Sequence, residues 1–206
     1  MPDAASEPAK TRTRLVPERR KELLRAEARA VFAEHGYAAS GLAEVADRAG
    51  VNKRLVYYYY PGGRSELYIA VMADLTAELG ERVQAAVSAP VNTARRVERL
   101  VDALVGYFEE RPDAFNLLFR DPFGVREPDV VQQAVVVQAE LARELAKLLS
   151  QAGVPPLTLL GVTSGTLAYV LKVIEMAVAG ELDRETAVDA CLTCILGVLS
   201  QMGGFG

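Results

Sequence analysis

Apolar residues recur along most of the chain at the three-to-four-residue spacing of an α-helix, and this pattern predicts an all-α protein. The first helix begins after Pro17, a residue suited to a first helical turn, and His35-Gly36 marks its end. Its apolar line comprises Leu24, Ala28, Val31 and Phe32. The sequence shows no alternation of apolar and polar residues between hairpin turns, the pattern that would indicate β-strands.

Two very short helices follow the first one. Ser40 is predicted to cap the first of them, which ends at Gly50. Asn52 is predicted to cap the second, which covers Lys53 to Tyr59 and ends before the turn at residues 61–63. Two short helices around a glycine-containing turn have the geometry of a helix-turn-helix, whose second helix enters the DNA major groove.

The second short helix carries side chains that suit DNA. Lys53 and Arg54 lie at its N-terminal end, where they could reach guanine or phosphate. Tyr57, Tyr58 and Tyr59 offer hydroxyls to phosphate and ring faces to sugars or thymine methyls. The alternative to DNA contact is that these tyrosines simply pack in a corner between two helices. Four consecutive tyrosines on a helix point in different directions, however, so they cannot all be buried. We expect Val56 and Tyr60 to be the buried pair, and Tyr58 or Tyr59 to be exposed.

The remaining chain continues as longer helices at about residues 65–89, 97–108 and 131–148. A short helix at 115–119, followed by a turn at 121–124, is predicted before the last of these. Two apolar helices close the chain, at roughly Thr158–Ala179 and Arg184–Met202. Both are apolar on more than one face, which favours burial against the chain's own core on one side and a partner on the other. A monomeric bundle core is the alternative.

The charge differs between the two parts of the chain. The formal net charge of -4 argues against a nucleic-acid partner when it is taken as a whole. Residues through Leu67 nevertheless carry a net +3, and the rest carry −7, so two separate roles are indicated.

The composition excludes several classes of protein. Two cysteines and one histidine are too few for a disulfide scaffold or a metal cage. The sequence also lacks a recognisable set of acid, base and nucleophile, which argues against an enzyme. Cys191 and Cys194, inside an apolar helix, are predicted to be small buried hydrophobes rather than a redox pair. The polar start and the interruption of the apolar run by Lys172 and Glu175 predict a cytoplasmic protein with no signal peptide or membrane segment. We also expect no cofactor and no metal.

Several short motifs carry a resemblance to a known family. They are the Phe32–Tyr37 end of the first helix, the Val-Ala-x-x-Ala-Gly-Val step at Val45–Val51, the block Val56–Tyr60, and Glu66-Leu67. Residues 19–71 thereby resemble the N-terminal domain of TetR-family transcriptional regulators. Residues 1–14 are polar and lack helical spacing, which predicts a disordered basic arm. The resemblance implies a three-helix helix-turn-helix DNA-binding domain at 15–64 and a helical ligand-binding and dimerisation domain at 65–206.

The resemblance also implies roles for particular residues. Tyr57 and Arg64 would contact phosphate, Lys53, Arg54 and Tyr58 would lie nearest the bases, and the basic run Lys10–Arg29 would flank the DNA backbone. The predicted DNA-binding set is Ser40, Lys53, Arg54, Tyr57, Tyr58, Tyr59 and Arg64. The sequence departs from the family in having Asn52 for serine, Tyr59 for histidine and a longer turn before Arg64.

In the C-terminal half, the family resemblance implies an effector pocket and a dimer interface. The predicted pocket residues are Phe108, Phe115, Phe119, Phe123, Tyr169, Lys172 and Met176, which plain core packing would equally explain. The predicted dimer residues are Leu160, Leu167, Leu171, Val188, Leu192, Ile195 and Leu199.

The function implied is that of a homodimeric repressor, released from a pseudo-palindromic double-stranded operator by a small-molecule effector of unknown identity. The alternatives are a helical-bundle carrier or enzyme, and a TetR-like activator or architectural DNA binder without an effector.

Overall fold

The computed structural model describes residues 16–88 and 90–202, with the side chains of Phe123 and Met202 left undescribed. Within these ranges every regular element is helical, as the apolar spacing predicts. The predicted arm at residues 1–14 lies outside the described residues.

The N-terminal part consists of α1 (Pro17–Ala39), α2 (Leu42–Arg48) and α3 (Lys53–Tyr59). The predicted end of α1 at His35-Gly36 is a kink rather than a stop, because helix resumes after Gly36, whose backbone has φ 70° and ψ 167°. Leu24, Ala28, Val31 and Phe32 are all buried, as their spacing predicts.

The C-terminal part begins with α4 (Arg64–Val87) and α5 (Thr93–Glu110). A short α6 (Pro112–Phe115), a π-helical turn (Asn116–Arg120) and a 3-10 turn (Asp121–Gly124) then replace the single short helix that the sequence predicts. Three longer helices complete the described chain: α7 (Pro128–Gln151), α8 (Pro156–Val178) and α9 (Arg184–Met202).

Helix α4 joins the two parts, because it packs on α1 as well as on α5 and α7. Its buried line runs from Leu67 to Ala86 without a break. One hydrophobic core therefore extends from the three N-terminal helices into the C-terminal ones. The predicted domain boundary between residues 64 and 65 falls at the start of this shared helix and stays a prediction.

Helix α8 is unusually apolar for a surface helix. By length and composition alone it could cross a membrane, because its most apolar 18-residue stretch has a mean hydropathy of 1.6, although Lys172 and Glu175 lie within the helix. Only 28% of its most apolar stretch is buried, and Leu157 and Leu160 are 96% and 80% exposed. Core and interface helices of soluble proteins pass the same test, so this finding is weak evidence for a membrane.

Candidate nucleic-acid interface and C-terminal cavities

Helix α3 is fixed at its start by a side-chain cap, as the sequence predicts. The Asn52 side-chain oxygen accepts a hydrogen bond from the Leu55 backbone N–H at 2.9 Å. Gly50, at φ 64°, supplies the left-handed conformation that turns the chain from α2 towards α3. The cap and the turn together set the direction in which α3 leaves the core.

One face of α3 is buried and the other is open. Val56 and Tyr60 are buried, which confirms the predicted core pair. Tyr57 and Tyr58 are 45% and 75% exposed, so the expectation that a tyrosine of this run faces solvent is also confirmed. Tyr59 is only partly exposed, and its ring stands edge-on to that of Tyr58 at 5.1 Å between centroids.

The cations of α3 are free to meet a partner. Lys53 and Arg54 are exposed, and among the described residues neither forms an ion pair. The Lys53 ammonium lies 5.8 Å from the centre of the Tyr57 ring, so a cation and a hydroxyl-bearing ring stand side by side. The open face of α3 can therefore offer both charge and hydrogen-bond donors to an acidic surface.

Two other residues of the predicted DNA-binding set are occupied within the chain. Ser40 is buried and does not cap α2, so that prediction is wrong: its hydroxyl donates to the Gly36 carbonyl at 2.6 Å, and Gly41 takes the cap position. Arg64 stacks over the Tyr37 ring at 4.4 Å and donates to the Ala38 carbonyl at 3.0 Å.

Arg64 also lies 3.4 Å from a Glu127 carboxylate oxygen, in the loop before α7. The residue thus connects the helix-turn-helix to the C-terminal part. Its assignment to phosphate stays a prediction, and it requires the guanidinium to leave these partners.

Arginines of α1 are likewise held by acids of neighbouring helices. Arg25 pairs with Asp74 on α4 at 2.5 Å. Arg29 makes two hydrogen bonds to Asp113 on α6, at 2.6 and 3.1 Å. Both arginines therefore tie α1 to the C-terminal part, and the residues of the basic run up to Arg14 lie outside the described residues.

A cluster on the outer surface of α1 and α2 contains Glu34, His35 and Glu44, a combination of ligand types that metals can use. Arg48 already donates to both carboxylates at 2.7 Å and lowers the pKa of each glutamate. His35 lies 3.2 Å from the Glu44 carboxylate. This arrangement is an ion-pair cluster, because the arginine supplies the positive charge that a metal would otherwise bring.

The C-terminal part contains an open groove of about 620 Å³ between α7, α8 and the π-helical turn. Three predicted pocket residues, Phe115, Phe119 and Lys172, line it. Arg120, Gln138 and Ser164 line it too and were missed by the sequence analysis. Of these three, only Arg120 had a signal in the sequence, because it is a charged residue placed directly after the apolar run that ends at Phe119.

A second, much smaller cavity of about 30 Å³ lies deeper, among α4, α5, α7, α8 and α9. Phe108 lines it, whereas Tyr169 and Met176 line neither this cavity nor the groove. Tyr169 is 44% exposed on the outer face of α8. The side chain of Phe123 lies outside the described residues.

The predicted dimer residues divide into two groups. Leu160 is exposed, and Leu167, Leu171, Val188 and Leu192 are half-buried. Leu167 and Leu171 also line the groove, so the structure places them in the candidate ligand site as well. Ile195 and Leu199 are buried in the chain's own core, so neither offers an open surface to a partner. The period of α9 could not separate these groups, because the helix is apolar nearly all round.

The two cysteines behave as the sequence predicts for packing residues. Cys191 is buried, Cys194 is partly buried, and both are free thiols. Burial raises the pKa of Cys191 to about 11, so the thiolate that redox chemistry needs is disfavoured.

Taken together, the fold and the open face of α3 define a helix-turn-helix protein with a helical C-terminal part. Residues 24–71 match the family of bacterial regulatory proteins described as the tetR family. A solved TetR-like transcriptional regulator from Rhodococcus sp. RHA1 has the same fold, with a TM-score of 0.76 and 18% identity over 91% of this chain and 99% of that one. The chain is therefore similar to TetR-family regulators in the sequence of residues 24–71 and in its fold.

Two curated relatives differ in the direction of their regulation. The HTH-type transcriptional activator FasR of Mycolicibacterium smegmatis is 33% identical over 65% of this chain and 60% of its own length. The HTH-type transcriptional repressor SCO4008 of Streptomyces coelicolor is 34% identical over 50% of each. The chain thus spans between half and three fifths of the length of these relatives.

Proposed function

We propose that the chain is a DNA-binding transcriptional regulator that reads double-stranded operator DNA with α3. The observation that carries the proposal is the open face of α3, where Lys53, Arg54, Tyr57 and Tyr58 are exposed together. Lysine and arginine suit guanine edges and phosphates, and tyrosine hydroxyls suit phosphates. The match of residues 24–71 to a regulatory family supports this interpretation of the surface.

The regulator acts as a homodimer that binds a pseudo-palindrome. The exposed apolar face of α8 supports this step, because Leu157 and Leu160 would otherwise stay in water. A two-fold dimer presents two recognition helices, and its half-sites lie ~34–36 Å apart or a multiple of that. As part of this proposal, the regulator acts in the cytoplasm and does not bind a membrane. It binds DNA and is not an enzyme.

The dimer is a repressor that a small molecule releases from its operator. The groove beside α8 supports an effector, since its volume of about 620 Å³ suits a small organic ligand. Activation is the second candidate, favoured by the activator among the curated relatives. A reporter gene behind the operator separates the two, because deletion of the regulator raises its expression under repression and lowers it under activation.

DNA binding is tested by fluorescence anisotropy on labelled duplexes that tile the region upstream of the chain's own gene. Lys53→Ala and Arg54→Ala should each weaken binding by about 5- to 150-fold, the range expected for a base-contacting cation. Each should also lower the slope of log affinity against log salt by about one for every phosphate that the variant no longer neutralises.

Arg95→Ala is the matched control, because Arg95 is an exposed cation on α5 whose partner is Glu98 in its own helix. It should leave both affinity and salt slope unchanged. Equal effects of the α3 variants and this control would remove α3 from the DNA interface. Sedimentation of the unliganded protein tests the dimer, and a monomer at micromolar concentration would contradict it.

A further inference from the structure

The groove runs along two antiparallel helices. α7 and α8 are joined by residues 152–155 alone, and so short a connection makes them antiparallel neighbours. From Ser164 to Glu175 the groove follows α8 for about 16 Å, at 1.5 Å per residue. Its shape is therefore elongated, with one end at Ala142 and Ser164, towards the α7–α8 connection, and the other beside the π-helical turn.

The walls and floor of the groove are apolar over most of this length. Phe115 and Phe119 contribute aromatic rings that lie 5.4 Å apart between centroids. Small and aliphatic side chains form the two helical walls: Val135, Ala139, Ala142, Leu167, Ala168 and Leu171. An alkyl chain or a ring system would be removed from water along this surface.

The charged residues of the groove all lie at the end beside the π-helical turn. Lys172 donates to the Glu175 carboxylate at 2.9 Å, and the Arg120 guanidinium lies 3.7 Å from the same side chain. Two cations thus share a single acid, which leaves one net positive charge. Both cations are more than half exposed, so their side chains can turn towards a ligand without disturbing the packing of the core.

We propose that the groove binds an elongated apolar molecule with an anionic group at one end, its apolar part along α7 and α8 and its anion between Arg120 and Lys172. The ligand's head group is anionic because the charged end of the groove is net positive. The ligand has one orientation because only that end of the groove carries charge. The inference rests on the proposed function only in naming this ligand the effector, because binding itself does not involve DNA.

Isothermal titration calorimetry with decanoate, decanol and decyltrimethylammonium tests the head group at constant chain length. Decanoate should bind at least about tenfold more tightly than either of the others, since charged hydrogen bonds are the strong ones. Decyl phosphate is run in parallel, and the tighter of the two anions identifies the head group as carboxylate or phosphate. Octanoate should bind about fourfold more weakly for each methylene it lacks.

Three substitutions test the site. Arg120→Gln and Lys172→Gln should each weaken decanoate about tenfold and leave decanol within about twofold. Glu175→Gln should do the opposite and tighten decanoate, because it releases both cations from their shared acid. Arg126→Gln is the matched control, since Arg126 is an exposed cation six residues beyond Arg120 that does not line the groove.

The proposal is overturned if decanol or the ammonium compound binds as tightly as decanoate, or if Arg126→Gln weakens decanoate as much as Arg120→Gln does. It is also overturned if no amphiphile binds and Leu167→Lys dissociates a dimer, because the groove would then be a protein interface. If the protein binds DNA but none of the five amphiphiles, this inference alone is refuted. Decanoate binding by a protein that binds no DNA would refute the regulator and leave the site.

Discussion

The kink of α1 at Gly36 leads to a stability prediction whose sign the structure fixes. Gly36 adopts φ 70° and ψ 167°, a region of backbone space that essentially only glycine occupies. A Cβ atom there would meet Asp121 at 3.7 Å, which is an ordinary contact. The cost of Gly36→Ala is therefore backbone strain, not collision.

The magnitude follows from two opposing effects. Strain in this region costs of order 1–3 kcal/mol, and alanine returns roughly 0.5–1 kcal/mol by restricting the unfolded chain. We expect Gly36→Ala to lower the free energy of unfolding by about 1–2 kcal/mol. For a chain of this size that corresponds to a fall in Tm of roughly 2–8 °C.

Gly80→Ala is the matched control, because Gly80 lies in the interior of α4 and a Cβ atom added to it would have nothing within 4 Å. There alanine removes the cost of a mid-helix glycine and should raise stability by roughly 0.5–1 kcal/mol. The two substitutions are chemically identical and should move stability in opposite directions.

Urea unfolding followed by circular dichroism at 222 nm measures both variants. The chain concentration is kept fixed, since dimer formation would make stability depend on it. If Gly36→Ala is as stable as the parent or more stable, the left-handed conformation of Gly36 does not exist and the reasoning is refuted.

Three further substitutions have defined outcomes. Asn52→Ala removes the α3 cap and should cost about 1 kcal/mol in urea unfolding, together with weaker DNA binding, whereas Asn52→Asp should retain most of both. Tyr68→Phe leaves the Leu117 carbonyl of the π-helical turn without its buried donor, and should cost about 1–3 kcal/mol by the same assay. Arg48 lowers the pKa of the two glutamates it binds, so their stabilising effect is present above their ordinary pKa and is lost as the pH falls through the lowered values. Arg48→Gln should therefore destabilise the protein at pH 7 and much less in acid; a pH-independent difference would contradict the ion-pair argument.

Much of the fold follows from local signals that act over one or two helical turns. The apolar spacing and the Asn52 cap anticipated most helices and the start of α3. In segment 112–124 the sequence predicts a short helix and a turn, but not the division into α6, a π-helical turn and a 3-10 turn, because Pro112 and Pro122 interrupt the helical spacing while the aromatic residues still reach the core. The sequence shows the prolines but not the π-helical turn that lets both Phe115 and Phe119 point inwards.

The site was predictable only where burial could be argued from a single helix. The exposure of Tyr57 and Tyr58 follows from four adjacent tyrosines, whatever the rest of the chain does. Arg64 could not be placed in the same way, because its partners Tyr37 and Glu127 lie far from it in sequence. Pairings of this kind depend on how helices pack, and no local pattern encodes them.

The same pairings change what the net positive charge of the N-terminal part means. Arg25, Arg29, Arg48 and Arg64 each face a carboxylate, so these four charges stabilise the fold and are occupied rather than open to phosphate. Helix α3 itself carries two cations, Lys53 and Arg54, and so few charges on one recognition helix would hold DNA weakly. A dimer joins two such surfaces, and the second contact becomes intramolecular with a high effective concentration. In the proposed regulator, affinity for the operator therefore depends on the spacing of the two copies of α3 more than on the charge of either one, which is why an effector that alters this spacing can release the DNA without touching it.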